Sequence, residues 1–185
     1  MLNKFFITLF IFFSIFFNLQ ANEKKLIINR LIGIDNITFD FQQTSNNKTE
    51  TGTCILVFDN KLKCDYEDSS QKRILINNKT LVVQQKRYDK KFFYPVSNSP
   101  LIKIFNKNNL LDLIEKSDYK LNDNIELSYT DENNKKIVIF FKKNNYDLVG
   151  WRIVDQLQNI VNFYIKIKYV NSEVSPEIFL IPSVN

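Results

Sequence analysis

A period of two runs through most of this chain and limits it to strand-rich folds. Ile37, Phe39 and Phe41 alternate with Thr38, Asp40 and Gln42, and Val161, Phe163, Ile165, Ile167 and Tyr169 alternate with Asn162, Lys166 and Lys168. Successive strand residues point to opposite faces, so this alternation describes a sheet with one apolar and one solvated side. Polar turns at Ser45-Asn46-Asn47-Lys48, Asp68-Ser69-Ser70 and Asn77-Asn78-Lys79 separate the segments, as in an antiparallel meander.

Two stretches leave that pattern. In EKKLIINRLIGI, Leu26, Ile27, Leu31 and Ile34 bury one face of a short helix that ends near Gly33. Between Val96 and Lys116, Ser99 caps a helix with Pro100 at its first position. Leu101, Ile102, Ile104 and Phe105, then Leu110, Leu111, Leu113 and Ile114, form two amphipathic pieces joined by Asn106-Lys107-Asn108-Asn109. Strands resume over 125–130, 136–142, 147–155 and 160–170, with a hairpin turn at Asp155 to Asn159. About nine or ten strands and two or three short helices define a mainly β, α+β fold. It is a strongly curved antiparallel sheet, an open half-barrel whose mouth the helices cover.

The chain has no histidine and two cysteines. His-dependent triads, His metal sites and Cys/His nucleophile pairs are therefore excluded, and no metal or cofactor is expected. TGTCILVF and KLKCDY read as strands about a turn at Asp59-Asn60. Pairing them there sets Cys54 opposite Cys64 and Leu56 opposite Leu62. Either a structural cross-strand disulfide or two buried thiols in neighbouring strands satisfies this register, and an exported chain favours the disulfide. Without His, hydrolysis would rest on paired carboxylates, and Asp65, Glu67 and Asp68 lie in a charged, turn-adjacent run that reads as solvated. The reading is a non-enzyme.

Export is read from the first residues. Lys4 precedes an apolar run from Phe5 to Phe17, and Ala21 stands at a small-residue cleavage position, so residues 1–21 are expected to be a cleaved signal peptide. At about 1.5 Å per residue that run reaches roughly 20 Å, short of the ~30 Å hydrocarbon layer. Asn22, where a lipid-modified precursor would carry cysteine, points to an untethered product. Residues 22–185 form a single domain with no Pro, Ser or Gly-rich linker. The net charge of +5 is dispersed along strand faces rather than gathered in a stripe, so nucleic acid is not an expected partner.

The order of these features resembles the family of LolA, the periplasmic outer-membrane lipoprotein carrier. The resemblance rests on the first helix, the strand Phe39-Asp40-Phe41-Gln42-Gln43, the hairpin opening on Gly52, the Ser99-Pro100-Leu101 helix and the late LVGWRIVDQLQN segment. The related receptor LolB shares the fold but is itself a lipoprotein, which the missing leader cysteine argues against. The family carries an arginine followed by proline at the turn of the Gly-led hairpin, tying sheet to lid. Phe58-Asp59 stands there instead, and the nearby Lys61 and Lys63 lack the planar fork of a guanidinium.

The resemblance implies a monomeric periplasmic carrier that binds acyl chains of lipoproteins in an apolar cavity. It implies loading by an inner-membrane lipoprotein-releasing transporter and delivery to an outer-membrane receptor. A paralogue carrying another lipid or glycolipid, or a scaffold or sensor domain on the same fold, keeps the same residues. By alternation the cavity candidates are Phe39, Phe41, Leu56, Phe58, Leu62, Tyr66, Leu75, Leu81 and Val83, with Ile102, Phe105, Leu110 and Leu111 from the lid. The same faces would equally fill an ordinary core, to which Trp151 is assigned.

Overall fold

The computed structural model describes residues 22–96, 102–132, 134–154 and 159–183. The leader, the Ser99-Pro100 helix start and most of the turn at Asp155 to Asn159 lie outside the described residues. Helix α1 spans residues 22–32 and buries Ile27 and Leu31, one turn apart, with Ile34 just beyond its end. Leu26, expected on the same face, lies at its exposed margin.

Eleven strands follow in one antiparallel sheet that does not close. The N-terminal half is a meander of β1 (Asn36–Ser45), β2 (Lys48–Val57), β3 (Lys61–Tyr66), β4 (Lys72–Asn77), β5 (Thr80–Gln85) and β6 (Lys90–Pro95). The C-terminal half is a second meander of β7 (Asp118–Leu121), β8 (Ile125–Thr130), β9 (Lys136–Phe141), β10 (Leu148–Val154) and β11 (Ile160–Val170). The halves join where β11 pairs with β1, leaving β6 and β7 as the free edges. Helices α2 (Ile102–Phe105) and α3 (Lys107–Lys116) connect those edges in the chain. Their buried residues Ile104, Phe105, Leu110, Leu113 and Ile114 join the core formed by the sheet and α1.

The hairpin register agrees with the reading from Asp59: Cys54 pairs with Cys64 and Leu56 with Leu62. Positive φ at Asn60 closes that turn, a conformation asparagine tolerates better than most residues. The sheet has one strand more than expected, the edge strand β7. Only Tyr119 of its four residues is half-buried, so it leaves almost no alternation to read. A 3-10 turn over Lys86–Tyr88 ends β5 two residues early. The break between α2 and α3 is one residue, Asn106, whose side chain caps α3 by accepting from the Asn109 backbone N–H at 3.1 Å.

Tyr169 leaves the apolar face of β11 and is 62% exposed. The β1 and β11 register shifts between Thr38 and Phe39, where Lys168 is the extra residue of a β11 bulge, and this carries Tyr169 outward and brings Val170 opposite Ile37.

Candidate binding cavity

The concave side of the sheet carries odd positions of β1, β5, β10 and β11 and even positions of β2, β3 and β4, as the registers dictate. Between that side and α2 lies a cavity of about 390 Å³. Phe39, Leu62, Ile76 and Phe105 line its buried part, close to the β2 to β3 turn. Half-buried Gln43, Lys72, Ile153 and Val161 form the rim at the opposite strand ends.

Aromatic rings build one wall. Trp151 stacks on Phe163 at 4.6 Å between centroids, and Phe163 on Phe41 at 4.8 Å. Phe41 meets Tyr66 edge-on at 4.8 Å, and Phe105 meets Trp151 edge-on at 5.9 Å. Gly52 makes room for this wall. A Cβ there would come within 2.8 Å of the Phe41 ring and collide with the Asp65 carbonyl. Cys54 and Cys64 form a disulfide, and Cys64 lines the cavity floor.

The rim is polar on one side. The Tyr66 hydroxyl donates to Gln43 Oε1 at 2.8 Å, and Lys72 Nζ sits 3.7 Å from the Tyr66 ring centroid. Lys72 also pairs with Glu50 at 2.8 Å, and Glu50 pairs with Lys48 at 2.7 Å. Burial pushes the Tyr66 phenol far above its ordinary range, reinforced by Glu50 and Asp68, so it stays a donor. Burial alone would raise Glu50, but hydrogen bonds from Lys48 and Lys72 outweigh it and hold the carboxyl below its usual range.

Helix α3 is tied to α1 at both ends. Lys24 Nζ donates to the carbonyls of Glu115 and Ser117 at the C-terminus of α3, and Lys107 Nζ donates to the Ile32 carbonyl at the end of α1 at 3.3 Å and pairs with Asp35 just beyond it at 2.9 Å. The hairpin turn that lacks arginine reaches the helices through its backbone. Asn60 N–H donates to the Phe105 carbonyl and Lys107 N–H to the Phe58 carbonyl, each at 3.3 Å.

Of the residues proposed from alternation, Phe39, Leu62, Tyr66, Leu81 and Phe105 line the cavity. Phe41, Leu56, Phe58 and Leu110 are buried in the core around it, and Leu111 packs half-buried against that core. Val83 shares the concave side with Leu81 but lies beyond the lining. Ile102 falls in α2, and its side chain is outside the described residues. Leu75 projects from the opposite, convex side, with Lys63 and Val82 as its neighbours across the sheet. A 3-10 turn at Pro176–Phe179 packs on the β3 and β4 side, and Leu75, Val82 and Phe179 are buried there outside the main core. Alternation missed Gln43, Lys72, Ile74, Ile76, Ile153, Val161 and Phe163 on the lining, and Trp151, assigned to core, is both buried and lining. The period of Cys64, where β3 is clean, carries across to Ile74 by register and would have found Ile74 and Ile76.

Among the described residues there is no cluster of three or more potential metal ligands, and no helix is long and apolar enough to cross a membrane. The described residues thus form an open antiparallel half-barrel with an apolar cavity under helices. Residues 33–182 match the family described as outer membrane lipoprotein carrier protein LolA, and the chain belongs to that family. No curated protein matches it. Among solved structures, an uncharacterized conserved protein from Thermus thermophilus is similar at 7% identity and a TM-score of 0.53, over 88% of this chain and 94% of that one. MucB is similar at 12% identity and a TM-score of 0.53, over 88% of this chain but 64% of MucB. A LolA superfamily protein from Nitrosomonas europaea matches at 10% identity and a TM-score of 0.43, over 84% and 96% of the two chains. At such identities the likeness is one of fold.

Proposed function

We propose that the protein is a periplasmic, non-enzymatic carrier that holds acyl chains of lipoproteins in the cavity between sheet and helices and moves them from inner to outer membrane. The observation that carries this reading is the apolar cavity of about 390 Å³, open at one end, in a chain of the lipoprotein-carrier family. Sites for small ligands span about 300–1,000 Å³. At about 0.8 kcal/mol per CH₂, exposing an acyl chain of roughly sixteen carbons to water costs on the order of 10 kcal/mol. A diffusible carrier must offset most of that and still release its cargo. Phe105 and the rings of Trp151 and Phe163 supply the apolar contact. The helices α2 and α3, joined to the hairpin turn by the Asn60 to Phe105 and Lys107 to Phe58 backbone bonds, supply a lid that can swing.

Purified mature protein added to spheroplasts should release lipoproteins into the supernatant as soluble complexes, as the reading requires an inner-membrane transporter to load it. Absence of release beside an active family carrier would refute lipoproteins as cargo. A second reading, a carrier of another lipid, is favoured by volume. At the ~30 Å³ share of a water-sized group, the cavity holds about a dozen methylenes, one chain rather than several. Lipid extracted from the purified protein separates the two: a free lipid without bound lipoprotein favours the second.

A further inference from the structure

The cavity is polarised, and its polar end is built from donors. Three polar side chains, Gln43, Tyr66 and Lys72, belong to the lining, all at or next to the rim. Lys72 is a cation with an 18% exposed side chain, held over the Tyr66 ring by its aliphatic reach from the first position of β4. The Tyr66 hydroxyl donates to Gln43 Oε1, which leaves the Gln43 amide nitrogen as the group able to donate toward a ligand. Glu50 lies on the same concave face, opposite Gln43 in the register, but its carboxylate is engaged by cations, and Asp68 is engaged by the turn that precedes β4. Glu50 faces Lys48 and Lys72, and Asp68 accepts from the Lys72 backbone N–H at 2.7 Å and from the Ser70 hydroxyl at 2.6 Å. Neither carboxylate lines the cavity. The far end, beneath Phe105 with Leu62 and Ile76, is buried and apolar.

The geometry points to a head-and-tail site for a single acyl chain whose head offers acceptor oxygens, a carboxylate or an ester carbonyl, seated against Lys72 and the Gln43 amide with the tail running under Phe105. This assignment rests on the carrier reading above and adds the orientation of the cargo: the polar part leaves at the β3 to β4 end, away from the hairpin that holds the lid. A half-buried ammonium facing an acyl carbonyl or carboxylate gains a charge-assisted hydrogen bond, whereas a cationic head there meets repulsion and leaves Lys72 without an acceptor from the ligand. Lys72 then selects the head, and length is selected by the closed end.

Trp151 is the only tryptophan and lines the cavity, so its fluorescence reports binding directly. The test uses three twelve-carbon amphiphiles below their micellar concentrations: laurate, its monoglyceride, and dodecyltrimethylammonium. Laurate and the monoglyceride should bind at least about tenfold more tightly than the ammonium amphiphile. K72M, which keeps the stem and removes the charge, should weaken laurate about tenfold, weaken the monoglyceride less, and leave dodecyltrimethylammonium no weaker. E50Q, which releases Lys72 from its carboxylate, should tighten laurate several-fold. Equal affinity of the native protein for all three heads would overturn the head site while leaving the carrier reading intact, and so would laurate affinity unchanged in both variants. Failure of all three to bind would overturn the cavity reading itself.

Discussion

Phe140 and Tyr164 stack face to face across Gly150, their ring centroids 5.9 Å apart and their planes 24° from parallel. Gly150 pairs with Phe140 on β9 and with Tyr164 on β11, so the two rings close over a position that has no side chain. On the other side of the same strands, Trp151 pairs with Phe163 and forms the aromatic wall of the cavity. The glycine thus serves both faces.

Gly150→Ala should therefore be costly. Gly150 has φ of 148°, and an added Cβ would collide with the Phe163 carbonyl and sit 2.9 Å from the Tyr164 Cα. Backbone strain and the shift of β11 together predict a loss of about 3 kcal/mol, read from urea unfolding. A variant as stable as the native protein would contradict this account of Gly150.

The Cys54 to Cys64 staple is predicted to matter in proportion to its loop. A sequence separation of 10 residues corresponds to about 2.7 kcal/mol of unfolded-state entropy in the chain-closure relation. Reduction, or the double variant Cys54→Ala with Cys64→Ala, should lower stability by about 2–3 kcal/mol. Alkylation of the unreduced, unfolded protein should leave both cysteines unmodified, and labelling of two thiols would refute the bond in the exported protein.

The same hairpin marks how far the sequence could be read. Asp59-Asn60 is a turn with its own chemistry, so the register of Cys54, Leu56, Leu62 and Cys64 followed from local pattern. The run Ile74-Leu75-Ile76 has no alternation to read, because Phe179, about a hundred residues on, covers the convex side of β4 and makes both faces apolar. The bulge at Lys168 of β11 likewise leaves the alternation of Ile165, Ile167 and Tyr169 unbroken in the sequence and shows only in the pairing with β1. Lys72 was illegible as a lining residue for another reason. Its charge reads as solvent-facing, and only the Tyr66 ring and Glu50 beside it explain its place at the rim.

Acid should destabilise the fold over a narrow range. Asp65 is pushed up by burial but pulled further down by Arg73 at 2.6 Å, Lys86 at 3.3 Å and Lys63 at 3.5 Å. Asp68 is pushed up by burial and pulled lower by the Lys72 N–H and the Ser70 hydroxyl. Asp40 is lowered first by its hydrogen bond from Lys168 at 2.7 Å. Each folded value lies below the ordinary 3.8, and Glu50 lies below 4.5. The unfolded chain therefore binds more protons, and the stabilisation is complete above those ordinary values and is lost as pH falls through the lower folded ones. With no histidine, urea midpoints should be flat from about pH 5.5 to 8 and fall below about pH 4. A decline beginning near pH 6 would contradict this assignment. Asp65 is 43% exposed, so screening by salt should blunt its share.

The lid prediction turns on one backbone nitrogen. Lys107 opens α3, follows the cap residue Asn106, and gives its N–H to the Phe58 carbonyl rather than to the helix. Proline is well accommodated at a first helical position, and it asks the preceding residue for extended backbone, which Asn106 already has at φ −101° and ψ 125°. Lys107→Pro therefore removes the backbone bond to Phe58 together with the Nζ contacts to Asp35 and the Ile32 carbonyl while keeping the helix, whereas Lys107→Ala removes only the Nζ contacts. The Asp35 ion pair joins a 24% exposed lysine to an 80% exposed aspartate and should contribute little. A lost backbone bond is worth about 1 kcal/mol, roughly a fivefold rise in the open population. Hydrogen exchange over residues 102–116 should accelerate several-fold in K107P and barely in K107A, with β1 to β3 unchanged in both. Release of a bound twelve-carbon amphiphile should quicken by the same factor. Equal exchange in the two variants would mean that the Lys107 to Phe58 backbone bond does not hold the lid.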